Sequence, residues 1–282
     1  MTSRPLRLGI ALLSSGSLRD LVEGARIAAG IGFDVILVPD HLGFPSPLIT
    51  LSAIAATVPR VRVGSCVLNT GFYRPALLAR DLIAVDANTD GRLEIGLGAG
   101  DIAQEFATAG LPFLSGGQRV QHLADHIAEI NAAFTDPPHS LPRPPIMVAG
   151  KGDKLLAMAA QNADIVSIMT LGTEADVPER VEYIKHKAGA RFDEIELAFC
   201  FAQVSLDDPT DMRIIQMYAP ETSAAQGREL AAVLVGPNAE AADRIRRLQE
   251  TLGISYFQIT YVINSTSTSW KSLEQLVAAV KK

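Results

Sequence analysis

The sequence predicts an α/β fold, a (β/α)8 barrel of the TIM type spanning residues 1–282 as one domain, with an insertion after the seventh strand. Three observations predict it. Eight short apolar runs alternate with amphipathic helical patterns along nearly the whole chain. The runs are apolar on both faces, as strands of a parallel sheet covered by helices must be. A chain of 282 residues also has the length of one large barrel with a sizeable core. A doubly wound sheet is the alternative, but it would use fewer strands and show a crevice motif that this chain lacks.

The strand candidates are residues 8–13, 35–39, 61–67, 93–97, 146–149, 165–169, 196–204 and 256–260. Between them, Leu18, Leu21, Val22, Ala25 and Ala28 repeat with helical spacing behind Ser17, a suitable N-cap. The same spacing recurs at Val120, Leu123, Ile127, Ile130 and Phe134, and at Trp270, Leu273, Leu276, Val277 and Val280. Two stretches break the rhythm. Residues 136–145 carry five prolines and read as an extended loop before the fifth strand. Residues 206–224 are too long for a simple βα loop. They read as part of a substrate lid on the catalytic face, or as a solvated excursion.

Composition excludes several classes. The net charge of −6 argues against a nucleic-acid partner, which calls for a basic face. No apolar run reaches the length of a membrane span, and the N-terminus lacks the pattern of a signal peptide. Two cysteines, Cys66 and Cys200, suggest no disulfide framework. The expected setting is cytoplasmic, and the expected partner a small-molecule substrate.

The residues that carry chemistry gather where strands end. The run Val35 to Val38 stops at Pro39 and is followed at once by Asp40 and His41. In a parallel barrel that rim is where ligands bind. The competing structural reading makes Asp40 a helix cap and His41 a core histidine. Asn69 closes the third strand, Gly96-x-Gly98-x-Gly100-Asp101 the fourth, and Gly150-Lys151-Gly152 the fifth. The last triplet opens a helix near Asp153, an arrangement whose backbone N–H groups suit a phosphate, although ordinary αβ turns look similar. The glycines after strand four have the wrong spacing and position for a dinucleotide fingerprint. They either let a flat group lie against the backbone or serve strand packing. His122 and His126, one helical turn apart on the polar side of their helix, lack the glutamate a zinc site needs, and no metal is expected. Cys66 as a nucleophile has no base placed by sequence.

Taken together, these pieces resemble the luciferase-like monooxygenase superfamily, and within it the branch using the deazaflavin coenzyme F420. The resemblance is carried by Gly32-Phe33-Asp34 leading to Val38-Pro39-Asp40-His41, by residues 62–69, by residues 74–80, by residues 91–100, by Gly110-Leu111-Pro112-Phe113 and by residues 143–150. It implies a cofactor in the strand-end cavity and a non-prolyl cis peptide at Cys66–Val67 behind the ring. It further implies a phosphate on the backbone of Gly150, Lys151 and Gly152, ring contacts from Asp40, His41, Asn69 and Gly98, and a homodimer. Sugar-phosphate dehydrogenases of that branch carry a glutamate where this chain has Asp101, so Asp101 is either a shorter general acid or a solvated loop residue.

The chemistry expected is hydride transfer, the cofactor carrying the difficult step and the protein supplying orientation and a proton. Histidine titrates where such proton traffic needs it, and a neighbouring carboxylate can orient it. Asp40, His41 and Asp101 are therefore the catalytic candidates. The alternatives are an FMN-dependent monooxygenase of the same fold working with a separate reductase, and a non-catalytic flavin- or F420-binding protein. An aldolase-type barrel would want a strand lysine, and none lies in these strands.

Overall fold

The computed structural model describes residues 4–14, 16–135 and 142–282. The barrel strands are β1 (Arg7–Leu13), β2 (Val35–Val38), β3 (Arg62–Ser65), β4 (Leu68–Asn69), β5 (Leu93–Gly98), β6 (Ile146–Gly150), β7 (Ile165–Ile168), β8 (Glu196–Phe201) and β11 (Tyr256–Val262). All pair in parallel in the order β3-β2-β1-β11-β8-β7-β6-β5-β4. The circle closes because β5 also pairs with β3, Val63 opposite Leu93. β3 and β4 are one barrel strand broken at Cys66 and Val67, so the barrel has eight staves. Each of the eight expected runs falls on one of them. The third is interrupted rather than continuous. The seventh ends at Phe201 instead of residue 204, because Gln203–Ser205 (β9) leaves the barrel to pair with Val233–Val235 (β10).

Helices α1 (Leu18–Ile31), α2 (Pro47–Thr57), α3 (Pro75–Thr89), α4 (Ala103–Thr108), α5 (Gly116–Thr135), α6 (Asp153–Asn162), α7 (Val177–Ala188), α8 (Arg213–Tyr218), α9 (Ala224–Glu229), α10 (Asn238–Leu252) and α11 (Trp270–Val280) pack outside. Their ends follow local chemistry. Ser17 caps α1 in a reciprocal capping box with Asp20, and Gly32, at φ +108°, ends it in the left-handed conformation. Leu21, Ala25 and Ala28 turn inward from α1, and Leu273, Leu276, Val277 and Val280 from α11.

The barrel is filled in layers. At its N-terminal end Arg7 bridges Glu94 (2.6 Å) and Glu196 (2.7 Å), and Arg62 also reaches Glu94 (2.6 Å). Above this floor lie Leu37, Met147, Ala198 and Tyr256. Buried Gln258 crosses the interior, accepting from the Ser167 hydroxyl at 2.6 Å. Above the filled lower layers, open space lies at the C-terminal ends of the strands.

One expectation needs correction. His126 is fully buried rather than on a polar face. Its Nδ1 bonds the His122 carbonyl at 2.8 Å, and burial lowers its pKa. Residues 206–224, open to reading as a lid or a solvated excursion, are anchored at two points although most of their side chains are partly or fully exposed. Met212 and Ile215 join Ala202, Ala232 and Val233 in an apolar cluster beside the barrel. Of the proline-rich stretch, 136–141 lie outside the described residues, and Arg143 beyond them pairs with Asp164 (2.8 Å).

Candidate active site

A cavity of about 610 Å³ opens at the C-terminal ends of the strands, within the range of small-molecule sites. Asp40, His41, Asn69, Gly98, Asp101, Gly150, Lys151 and Gly152 all line it, as do Cys66 and Val67. The topology thus brings every sequence candidate to one cavity, though not in the roles expected of each.

Asp40 follows β2 and is buried. It is no helix cap, since α2 starts behind Ser46. Its Oδ2 accepts from the Asn69 N–H at 3.0 Å, and the Tyr73 hydroxyl is a further partner. Burial pushes its carboxyl above the usual range, while these hydrogen bonds pull it back. Asp40 therefore ties the end of β2 to the resumed strand β4.

The carboxylate that holds His41 is Glu105, not Asp40. His41 Nδ1 lies 2.9 Å from Glu105 Oε1, which also accepts from the Leu42 N–H at 3.3 Å. Neither side chain is fully buried, at 28% and 15% exposure. A carboxylate acceptor keeps a proton on Nδ1 and leaves Nε2 to exchange one elsewhere. Glu105 stands in the first turn of α4, four residues after Asp101, which precedes the helix. Asp101 itself is more than half exposed and sits 3.6 Å from Lys151 Nζ, an ion pair at the rim.

The peptide between Cys66 and Val67 is cis, as the resemblance implied. Across from it, a Cβ on Gly98 would lie 2.5 Å from Val67 Cγ2, and one on Gly96 would lie 1.8 Å from the Ser65 carbonyl oxygen. These two glycines are accounted for by strand packing, the second of the readings open in the sequence. Asn69 turns its Oδ1 back to the Gly71 N–H at 3.1 Å. The Cys66 thiol faces Cys200 and Gln258, and the interaction with Cys200, followed by burial, pushes it well above the ordinary thiol range. A thiol so held is not an activated nucleophile.

The cavity is electrically lopsided. On its β5–β6 side, the N-termini of α5 and α6 both reach it through Gly116, Gly117, Gly152 and Asp153. Arg119, Lys151 and Lys154 line the same side, Lys154 Nζ lying 4.0 Å from the Cβ position of Gly117. The one acid in the first turn of α6, Asp153, is paired with Arg180 at 2.5 Å. The two helix N-termini and three cations, one of them also near the rim acid Asp101, make this an anion-collecting side. Arg119, Lys154 and Glu105 were not among the sequence candidates, because lone charges in helix starts carry no spacing signal.

On the opposite side, α8 lies over the mouth. Buried Gln203 accepts through Oε1 from the N–H groups of Ile214 (2.9 Å) and Ile215 (3.3 Å). Ser205 holds the Asp211 carbonyl at 2.8 Å. Ile214, Met217 and Tyr218 are thereby fixed along the cavity wall.

A barrel with this strand break and this strand-end cavity defines a class, and the family model for luciferase-like monooxygenases matches residues 3–215. The chain belongs to the luciferase-like monooxygenase family. Among curated relatives, it is 34% identical over 139 residues to an F420-dependent glucose-6-phosphate dehydrogenase of Beutenbergia cavernae, covering 46% of this chain and 41% of that protein. It is 26% identical over 199 residues to the oxygenase component of a flavin-dependent trigonelline monooxygenase of Acinetobacter baylyi, covering 63% of this chain and 55% of that protein. These matches thus span about half the length of the relatives or less. The fold is shared with the coenzyme F420-dependent tetrahydromethanopterin reductase of Methanopyrus kandleri, at a TM-score of 0.79 and 17% identity over 98% of this chain and 99% of that one.

Proposed function

We propose that this chain is an F420-dependent oxidoreductase that moves a hydride between the deazaflavin and a small organic substrate. The observation that carries the reading is one cavity holding the Asp40–His41 pair, with Glu105 behind it, beside an anion-collecting wall. The F420-dependent dehydrogenases among the relatives support it. The residues suit the cofactor. Gly152 leaves open space, with nothing within 4 Å of its Cβ position, and Lys151 and Lys154 can neutralise a phosphate there. The Cys66–Val67 bulge, which Gly98 leaves room for, forms a wall against which a flat ring can rest. When bound, the cofactor supplies or accepts the hydride.

The chain's own residues do the rest. Glu105 fixes the His41 ring, so that Nε2 exchanges a proton with the substrate while Nδ1 stays bonded. Asp40 holds β2 and β4 in register beneath the ring. Asp101, 3.6 Å from Lys151 Nζ, gives up that exposed pairing when Lys151 turns to the phosphate. The second reading, an FMN-dependent monooxygenase fed by a separate reductase, draws on the trigonelline monooxygenase match, which covers 63% of this chain, the same share as the F420-dependent dehydrogenase of Kribbella flavida. Titration with each cofactor, followed by assay with and without oxygen, separates the two. A homodimer belongs to the proposal. Ile49 on α2 and Leu77 on α3 are 64% and 52% exposed, apolar side chains that a partner copy would cover.

A further inference from the structure

We propose that the substrate is a small, uncharged, mainly apolar molecule with a single carbonyl or hydroxyl oxygen, and that the Tyr218 hydroxyl donates a hydrogen bond to that oxygen. The proposal rests on the cofactor reading above and deepens it.

The two sides of the cavity differ in kind. Every cation among its described lining residues, Arg119, Lys151 and Lys154, stands on the β5–β6 side, where the proposed phosphate lies. Around β7, β8, β11 and β1 the lining is Leu13, Met169, Ala202, Ile214 and Met217, with Cys200, Thr260 and Tyr218 as the polar members. No charged side chain lines that half among the described residues. The nearest arginine of the insertion, Arg213, is turned away and spent on Asp211 at 2.7 Å. A phosphorylated or carboxylated substrate placed there would lose its hydration with no cation to replace it, which costs several kcal/mol. With the anion-collecting wall taken by the cofactor, a sugar phosphate has nowhere to put its charge. A neutral apolar molecule gains from the same surface.

Tyr218 supplies the polar contact. It is half-buried, and its hydroxyl makes no hydrogen bond to the protein among the described residues. Tyr218 lines the same cavity as Cys200 on β8, Cys66 at the strand-three bulge, Asp101 at the β5 end and Glu105 on α4. Burial raises its pKa, keeping it a protonated donor. Lys151 lies 5.8 Å from its ring, which marks the border between the two halves. The Gln203 and Ser205 bonds to the start of α8 hold Tyr218 in place. A donor fixed in advance loses little entropy on binding. Such a site discriminates strongly against analogues lacking the oxygen, since the donor is then left unpaired.

The test has two stages. F420 is titrated into wild type and Tyr218→Phe by fluorescence quenching, and equal affinity within about twofold is expected. The oxidised holoenzymes, with which a ketone cannot react, are then titrated calorimetrically with 2-cyclohexen-1-one and with glucose 6-phosphate. The ketone is expected to bind wild type, to bind Tyr218→Phe about three- to tenfold more weakly, as loss of one hydrogen bond implies, and to outcompete the sugar phosphate. Failure of F420 to bind wild type overturns the functional reading, and the substrate class with it. If F420 binds, tighter binding of glucose 6-phosphate than of the ketone overturns the substrate class alone. So does absence of ketone binding, or unchanged ketone affinity in Tyr218→Phe.

Discussion

If Glu105 holds His41 ready for proton transfer, removing its carboxylate should slow turnover without loosening the cofactor. The bond from His41 Nδ1 to Glu105 Oε1 is 2.9 Å long and partly shielded from water. Hydrogen bonds to charged groups contribute about 1.5–3 kcal/mol, and about 1.4 kcal/mol is tenfold. Glu105→Ala should therefore lower the rate of 2-cyclohexen-1-one reduction roughly 10- to 100-fold. Glu105→Gln keeps an acceptor oxygen but loses the charge, and should fall between Ala and wild type. His41→Ala should cost about 10²–10⁴, the usual span for a general acid or base. The two act as a unit, so Glu105→Ala added to His41→Ala should cost less than about threefold more. The assay is single-turnover decay of reduced-deazaflavin signal, with cofactor affinity measured separately. The chain has five histidines, which makes ring ¹⁵N spectra tractable. Those spectra should show His41 protonated on Nδ1 in wild type and a tautomer mixture in Glu105→Ala. Multiplicative losses in the double variant, or wild-type rates in Glu105→Ala, would refute the reasoning.

The other perturbations act at separate places. Gly152→Asp should weaken F420 at least about tenfold while leaving the melting temperature level or higher. Its side chain meets open space, and aspartate is a good N-cap that repels phosphate; Gly152→Ala should stay within about threefold, and equal F420 affinity in both variants would move the phosphate elsewhere. Burial lowers the His126 pKa below its ordinary value of about 6.5. Below pH 6.5 the unfolded chain then binds the proton first, so stability present above 6.5 is lost as pH falls, by up to about 1.4 kcal/mol per unit. Denaturant titrations at pH 7.5 and 5.5 should show a smaller loss for His126→Leu than for wild type, and parallel losses would count against this sign. Ile49→Asp with Leu77→Asp should convert a dimer to a monomer in sedimentation, and an unchanged mass would place the interface elsewhere.

The barrel was legible because its staves are buried on both faces, so each reads as an uninterrupted apolar run between breakers. Val35–Val38 and Ile165–Ile168 are fully buried along their length. The interruption at Cys66 and Val67 was legible only through family resemblance, since the backbone geometry there leaves no period in the sequence. Asp40 and His41 stood out because two ionisable groups ended a strand. Glu105 did not, because it is local in space and 64 residues away in sequence. Tyr218 was hidden for a related reason. Its place over the cavity depends on Gln203 bonding the start of α8, a contact between side chain and backbone that no spacing rule marks. His126 was misplaced because helical periodicity assumed one buried face, while α5 packs against both α3 and α6.

The central claim is that this cavity takes a deazaflavin, and direct titration of the purified protein with F420 and with FMN tests it most directly. Quenching of F420 fluorescence on binding, with FMN at least about tenfold weaker and both weakened in Gly152→Asp, is the predicted result. Tight binding of FMN with no binding of F420 would contradict it.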